Sequence, residues 1–278
     1  MKAHFGSCEF RDYQPHHASV YLSHLAPTMT RNSLSHVRAL MSAIFEQAWA
    51  RGHATENPIK AAKVFNAAKP AEETPRYTVA EMAAIHNALR DEPMAQLFMR
   101  LCFDGLRPSE TRAIRWEGVV TTNGILHVRR SAWRLTINEK CKTRKSQRTI
   151  TIGSTLCAML DVFRESHPSI KGYVFENERN KPLEPTALSS RVIRPALEAA
   201  GVEWKGFYAG RPGAETEMNR TTSGNSQITS HHFGHTKQVA DSDYIKPLPD
   251  MTAVAANELD RALSQAIEKA QKCVSQLQ

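Results

Sequence analysis

The chain lacks the cysteine pattern of a cross-linked or zinc-bound protein. Its five cysteines, Cys8, Cys102, Cys141, Cys157 and Cys273, are odd in number, scattered and without paired spacing. That argues against a disulfide framework or a zinc ribbon and suits a reducing compartment. No apolar run approaches the length of a membrane span. The start, Met1-Lys2-Ala3-His4-Phe5, is too polar for a secretory signal, so a cytoplasmic protein with no membrane partner is expected. Tandem repeats and low-complexity tracts are missing as well. What the chain has is positive charge. A net charge of +8 favours a polyanionic partner. Its 278 residues, 41% of them hydrophobic, suffice for one large domain or two smaller ones with real cores.

Helical patterns dominate the first part. Pro15 to Leu25 predicts a short helix. Asn32 or Ser33 then caps a longer one, with Leu34, Val37, Leu40, Met41, Ile44, Ala48 and Trp49 at helical spacing and Gly52 as its stop. His16, His17, His24, Arg31, His36, Arg38 and Arg51 lie on or near this module's surface. Residues 66–77 carry two prolines and no apolar period, and read as a linker. Thr78-Val79-Ala80-Glu81 then forms a capping box, followed by Met82, Ile85 and Leu89. A second helix carries Met94, Leu97, Phe98, Leu101 and Cys102 and stops at Gly105. Pro108 to Trp116 predicts another.

Strand patterns follow in Ile125–Val128, Trp133–Ile137 and Arg148–Ile152, which suggest a small antiparallel sheet. Between the last two, residues 138–147 concentrate Lys140, Lys142, Arg144 and Lys145. Ser154 caps a helix with Leu156, Leu160 and Phe163, and Tyr173–Phe175 reads as a short strand. A helix over Thr186 to Ala200 ends at Gly201; a further one spans Gln227 to His232. From Met251 the tail places Val254, Leu259, Leu263, Ile267 and Val274 at helical spacing, an amphipathic helix able to dock on its own domain or a neighbour. The fold class is therefore mainly α with a small antiparallel β-sheet (α+β). A helical N-terminal domain covers residues 1–68, to be read either as a solvated helix pair or as a small domain that grips DNA backbone, and a second domain covers 76–278, including the C-terminal helix.

One pattern occurs twice. Gly105-Leu106-Arg107-Pro108-Ser109-Glu110-Thr111 and Gly210-Arg211-Pro212-Gly213-Ala214-Glu215-Thr216 each place an arginine after glycine and before proline, ahead of a glutamate-threonine pair. Proline favours the first helical turn and pushes its predecessor into extended backbone. Each arginine is thus expected at a helix mouth, where free N–H groups attract anions. Two such sites suit a clamp on one phosphate. Alone, either arginine would serve equally well to cap a loop or pair with a carboxylate. Arg194-Pro195 lacks the flanking glycine and glutamate and is read as a helix break only.

Lys142 stands at the tip of the basic hairpin, where it can meet a phosphate or give up a proton. His231, His232 and His235 invite a metal reading, but Gly234 interrupts the helix and neither cysteine nor carboxylate completes a set, so no metal is expected. Tyr244 follows His235 by nine residues. A phenol becomes a nucleophile when cations lower its pKa, and Asp241 and Asp243 nearby work against that.

In this order (arginine, hairpin lysine, arginine, Gly-His, tyrosine) the sequence resembles the tyrosine recombinase (phage integrase) family. The resemblance covers about residues 76–248 and, more weakly, residues 10–65, which look like the end of a core-binding helical domain that is short for the family. It implies that Arg107 and Arg211 neutralise a scissile DNA phosphate, supported by Glu110 orienting Arg107. Lys142 would protonate the leaving oxygen, His235 would assist phosphate or proton transfer, and Tyr244 would attack to give a 3′-phosphotyrosyl bond. Lys140, Arg144, Lys145, Arg129, Arg130 and Arg38 are the accompanying DNA contacts. No cofactor is implied. The implied partners are double-stranded recombination sites, three further copies of the chain in a tetramer that exchanges C-terminal helices, and accessory DNA-bending proteins. One position departs from the family: Tyr208-Ala209-Gly210-Arg211 puts tyrosine where His-x-x-Arg is usual, so Tyr208 joins the candidate site while the general base is left open. A DNA-relaxing type IB topoisomerase-like enzyme and a non-catalytic DNA-binding regulator of the same fold are the alternatives.

Overall fold

A computed structural model describes residues 8–134, 136–139, 147–168, 172–241, 245, 260 and 261. The chain divides into two units, Met1–Thr74 and Pro75–Gln278.

In the first unit Pro15 opens helix α1 (Pro15–Leu25), where a missing N–H leaves no bond unmade. Helix α2 (Arg31–Ala50) begins earlier than Asn32 or Ser33 would set it. Thr30 is the cap instead: its extended backbone aims the hydroxyl at the first turn, where it accepts the Ser33 amide at 3.3 Å. The buried stripe of α2 is Leu34, Met41, Phe45 and Ala48, whereas Leu40, Ile44 and Trp49 are exposed. Each residue turns the helix by about 100°, so 40 and 44 are rotated off the line that 41 and 45 occupy. That stripe packs on Tyr13, Ala18, Leu22 and Ile59. Asn57 ties the following segment back, donating to the Ser42 carbonyl at 3.1 Å and to Glu46 Oε1 at 2.9 Å.

The second unit starts with α3 (Val79–Ala88), held by the expected reciprocal cap between Thr78 and Glu81. Helix α4 (Pro93–Phe103) is buried nearly all round, through Leu97, Phe98, Met99, Leu101 and Cys102, and forms the centre of the core. Gly105 ends it with φ +95°. There an L side chain is strained, and a Cβ would run into the Phe233 ring. Helix α5 (Pro108–Thr111) is much shorter than the expected helix to Trp116. Arg112 leaves the helix to donate to the carbonyls of Arg134 and Pro182 and pairs with Glu184 at 3.2 Å.

Strands β1 (Val119–Val120), β2 (Ile125–Val128) and β5 (Arg148–Thr151) form an antiparallel sheet in the order β1-β2-β5, with Val128 opposite Arg148. The expected strand Trp133–Ile137 is instead two strands, β3 (Ser131–Trp133) and β4 (Thr136–Asn138), paired across a tight turn. Arg134 makes that turn with φ +51°, which a continuous strand cannot contain. Helix α6 (Ser154–Ser166) follows with Gly153, not Ser154, at its cap position. Tyr173 makes only an isolated bridge to Arg115 rather than a strand.

Arg194-Pro195 does not break its helix. Helix α7 (Pro185–Leu188) passes through a π turn (Ser189–Ile193) into α8 (Arg194–Ala199). Proline lacks an N–H and crowds the carbonyl four residues back; the wider turn accommodates this, and the Arg194 amide bonds to Ser189 instead. Two helices then frame the site. They are α9 (Gly210–Thr221) and α10 (Ser226–Phe233), the latter capped by Asn225 and ended by Gly234 at φ +70°. A short α11 (Lys237–Val239) follows. Of the expected tail helix, Asp260 and Arg261 are helical and the rest lies outside the described residues. Among the described residues no helix is long and apolar enough to cross a membrane.

Candidate active site

The two Arg-Pro motifs meet, but by different geometry. Arg107 precedes Pro108 in extended backbone, φ −70° and ψ 146°, as its sequence predicts. Arg211 does not: it lies inside the first turn of α9, led in by a 3-10 turn over Phe207–Ala209. The first helical turn has no hydrogen bond for Pro212 to break, so Arg211 can stay helical. The four-residue α5 adds little dipole at Arg107. The positive field here comes from guanidinium groups.

Glu110 is the hub of the first motif. It is 3% exposed; Oε1 accepts from Arg107 Nη1 at 2.7 Å and Oε2 from the Arg107 amide at 3.0 Å. Oε2 also accepts from Arg148 Nη2 at 3.2 Å. Burial pushes the Glu110 carboxyl up, but Arg148 and Arg107 outweigh it and hold the group below the usual carboxylate range. Arg148 in turn donates through Nε to the His232 carbonyl at 2.6 Å. Arg211, 2% exposed, donates to the carbonyls of Gly105 (2.5 Å) and Phe233 and lies 5.1 Å over the Phe233 ring. His232 faces the Asp104 carbonyl at 3.0 Å. The end of α4 and the end of α10 are therefore fastened together through main-chain oxygens.

Three guanidinium groups share this cluster with two buried carboxylates, Glu110 and Glu215. Burial, and then Arg107 beside it, push Arg211 down to about 10, so it remains a cation at neutral pH. The repulsion between Arg211, Arg107 and Arg148 is what a bound anion would relieve. Arg107 is the most accessible of the three, its side chain 28% exposed.

His235 joins the cluster through Glu215, which is fully buried on α9. Its Nε2 lies 2.8 Å from Oε1 and 3.0 Å from Oε2, and its Nδ1 lies 3.1 Å from the Thr236 carbonyl. Beside it opens a cleft of about 700 Å³ lined by Arg129, Arg148, Thr149, Ser230, His231 and His235, among others. Burial pushes His232 below its usual range, and its ring and that of His235 are engaged by different acceptors.

The remaining candidates are dispersed. Tyr208 sits on the turn before α9, 60% exposed. Arg129 lines the cleft. Arg130 is held between Glu139 (2.6 Å) and Glu117 (2.8 Å). Arg38, in the other unit, donates to the carbonyls of Ile59 and Lys60. Lys140, Lys142, Arg144, Lys145 and Tyr244 lie outside the described residues.

Sequence reasoning missed two members of the cluster. Arg148 had a signal: it shares a strand face with Ile150, which is buried, so it points inward. Glu215 was visible as the counterpart of Glu110. Its offset, four residues after Arg211 rather than three, hands it to His235 instead of to its own arginine.

Residues 76–247 match the model of the phage integrase family. A "Tyrosine recombinase XerC-like" protein of Caldanaerobacter subterraneus subsp. tengcongensis is 26% identical over 207 residues, 64% of this chain and 53% of the relative. The chain thus spans about half the length of that curated relative. Among solved structures, the Tn1549 transposon integrase in complex with transposon right end DNA superposes with a TM-score of 0.71 at 14% identity, covering 92% of this chain and 88% of that one. A lambda integrase dimer bound to a COC′ core site gives 0.62 at 21% identity, covering 85% and 81%. A lambda integrase tetramer bound to a Holliday junction gives 0.60 at 21% identity, covering 86% and 67%. With well over half of its length matched by the family model and its arginine cluster assembled, the chain belongs to the phage integrase family, the tyrosine recombinases.

Proposed function

We propose that the protein is a site-specific DNA recombinase that cleaves and rejoins strands through a 3′-phosphotyrosyl intermediate. The observation that carries this reading is the cluster of Arg107, Arg148 and Arg211, whose mutual repulsion an anion would relieve, beside an open cleft. Tyr244 attacks the scissile phosphate, the phosphorus-to-5′-oxygen bond breaks, and Lys142 protonates the leaving oxygen. Arg107 and Arg211 neutralise the non-bridging oxygens as charge develops. Glu110 orients Arg107, and Tyr208 is a neighbouring hydrogen-bond donor. The phosphotyrosine keeps the energy of the broken bond, so a 5′-hydroxyl from another strand reverses the step without an added energy source. The basic residues Arg129, Arg130, Lys140, Arg144 and Lys145, with Arg38 in the N-terminal unit, follow the DNA backbone.

The partners in this reading are double-stranded recombination sites and further copies of the chain. Lambda integrase is seen as a dimer on a core site and as a tetramer on a Holliday junction. By analogy four copies assemble here and exchange helices from the tail after residue 250, with DNA-bending proteins as accessories.

A nicked suicide substrate drawn from the DNA flanking the gene tests this. Wild-type protein is expected to form a covalent adduct, and Tyr244→Phe to bind the same DNA without one. An adduct that survives the substitution removes Tyr244 as nucleophile. Binding with no adduct from the wild type favours a non-catalytic regulator instead.

A further inference from the structure

We propose that Trp133 is a DNA contact: its indole lies against the sugars and base edges of the duplex, a few base pairs from the phosphate that the arginine cluster holds. This deepens the recombinase reading and rests on it.

The outer face of the β1-β2-β5 sheet runs on into the β3–β4 hairpin. In β2, Leu126 and Val128 are buried, and His127 between them faces the other way, its Nδ1 2.9 Å from the Thr149 hydroxyl of β5. The alternation carries through the two linking arginines: Arg129 is exposed, and Arg130 is held between Glu117 and Glu139. It continues in β3, where Ala132 is buried and Ser131 and Trp133 stand on the outer face. Their cross-strand partners are Asn138 and Thr136. From His127 to the turn, the neighbours of Trp133 on this face are all polar.

Trp133 is 67% exposed, more than any other tryptophan, tyrosine or phenylalanine among the described residues of the second unit. Strand propensity favours tryptophan here, but cross-strand packing would cover the ring, and Thr136 opposite is itself exposed. An indole is rigid and amphipathic, which suits it to a surface that is buried only on binding.

Position and charge name DNA as the occupant. Arg129 and Thr149 line the cleft beside the arginine cluster, so the face that carries Trp133 borders that cleft. Four residues of strand, at about 3.4 Å each, place Trp133 at most about 14 Å from Arg129, the rise of about four base pairs. Arg129 and Arg134 are exposed around it, and the hairpin's Glu139 is taken up by Arg130 at 2.6 Å. The tip is also held in place. Strand β3 packs on α5, which follows Arg107, and Arg112 donates to the Arg134 carbonyl at 3.2 Å. These contacts keep Arg134 in its left-handed conformation, φ +51°. The indole therefore holds a fixed place relative to the phosphate clamp. It adds contact area rather than charge, with the ring on sugars and base edges and the N–H donating to an acceptor in the groove.

Duplex binding by the full chain tests this, read by fluorescence anisotropy of labelled oligonucleotides drawn from the DNA flanking the gene. Trp133→Thr is expected to bind about 10-fold more weakly, and Trp133→Phe to stay within about threefold of wild type. Both should keep the wild-type thermal midpoint, since the position is exposed. The slope of log affinity against log salt should be unchanged in W133T, whereas Arg129→Ala should lower it by about 1. An affinity of W133T within about twofold of wild type overturns the proposal. So does a loss that comes with a fallen midpoint and is not restored by phenylalanine, which gives the ring to folding. Normal DNA affinity with weakened self-association in sedimentation gives it to a second copy of the chain, and also overturns it. In each of these cases a wild-type adduct on the suicide substrate still upholds the recombinase reading. A wild type that binds no duplex overturns both.

Discussion

Arg148→Met removes the charge at the centre of the arginine-carboxylate lattice and keeps most of the side-chain volume. Arg148 is buried, 3.2 Å from Glu110 and 2.6 Å from the His232 carbonyl. Losing it strips one of the two cations from a buried carboxylate, a change worth about 3–5 kcal/mol. The carbonyl of His232 loses this donor, at about 1–3 kcal/mol if nothing replaces it. The two losses share one side chain and do not simply add, so a total of about 4 kcal/mol is expected. A domain is stable by about 5–15 kcal/mol, so the variant should still fold. With a urea slope of about 2 kcal/mol per molar, its midpoint should fall by about 2 M. Urea unfolding followed by circular dichroism, run on wild type, Arg148→Met, Glu110→Gln and the double variant, measures this. The double variant should lose less than the two single losses combined, by about 1–3 kcal/mol, because it leaves no buried carboxylate short of a partner. A single-variant cost below about 1 kcal/mol, or strict additivity, would refute the buried-pair account.

Glu110 also sets a pH dependence. Its carboxyl is held below the ordinary value of 4.5, so its stabilisation is full above that pH and is lost as pH falls through the lower folded value. The urea midpoint of wild type should therefore drop more steeply below pH 4.5 than that of Glu110→Gln, and parallel curves would contradict the pairing. Gly105→Ala should destabilise by about 2–4 kcal/mol, combining backbone strain with a clash against Phe233. Thermal melting within about 0.5 kcal/mol of wild type would show that the two helix ends have room to part.

Much of this fold was legible because caps and periods are local. The Thr78–Glu81 box and Pro15 each announce a helix start through bonds made within four residues. Where the outcome depends on distant partners, the sequence misled. Arg112 ends α5 for the sake of carbonyls at 134 and 182, far along the chain. The turn at Arg134 splits a run whose composition suits a single strand. At the site, Arg107, Glu110 and Arg211 were singled out from two repeated motifs, and His235 from the family resemblance. Arg148 was overlooked although its alternation with Ile150 turns it inward, because the reason for a buried arginine shows only once Glu110 and the His232 carbonyl are brought to it. Glu215 stood in the second motif but was given no role, because its partner His235 is set by the way α10 ends at Gly234.

The fastening of α4 to α10 has a consequence for how the site tolerates change. Arg148 and Arg211 grip the oxygens of Gly105, His232 and Phe233, atoms that every amino acid possesses. The alignment of the two helix ends is thus encoded in the path of the chain more than in the residues along it. Substitutions at 232 that keep that path leave the acceptor in place, and only Gly105 is bound to its identity by its backbone angle. Such a site can drift widely in sequence while the two arginines stay where they are, and distant relatives can share the scaffold with few residues in common.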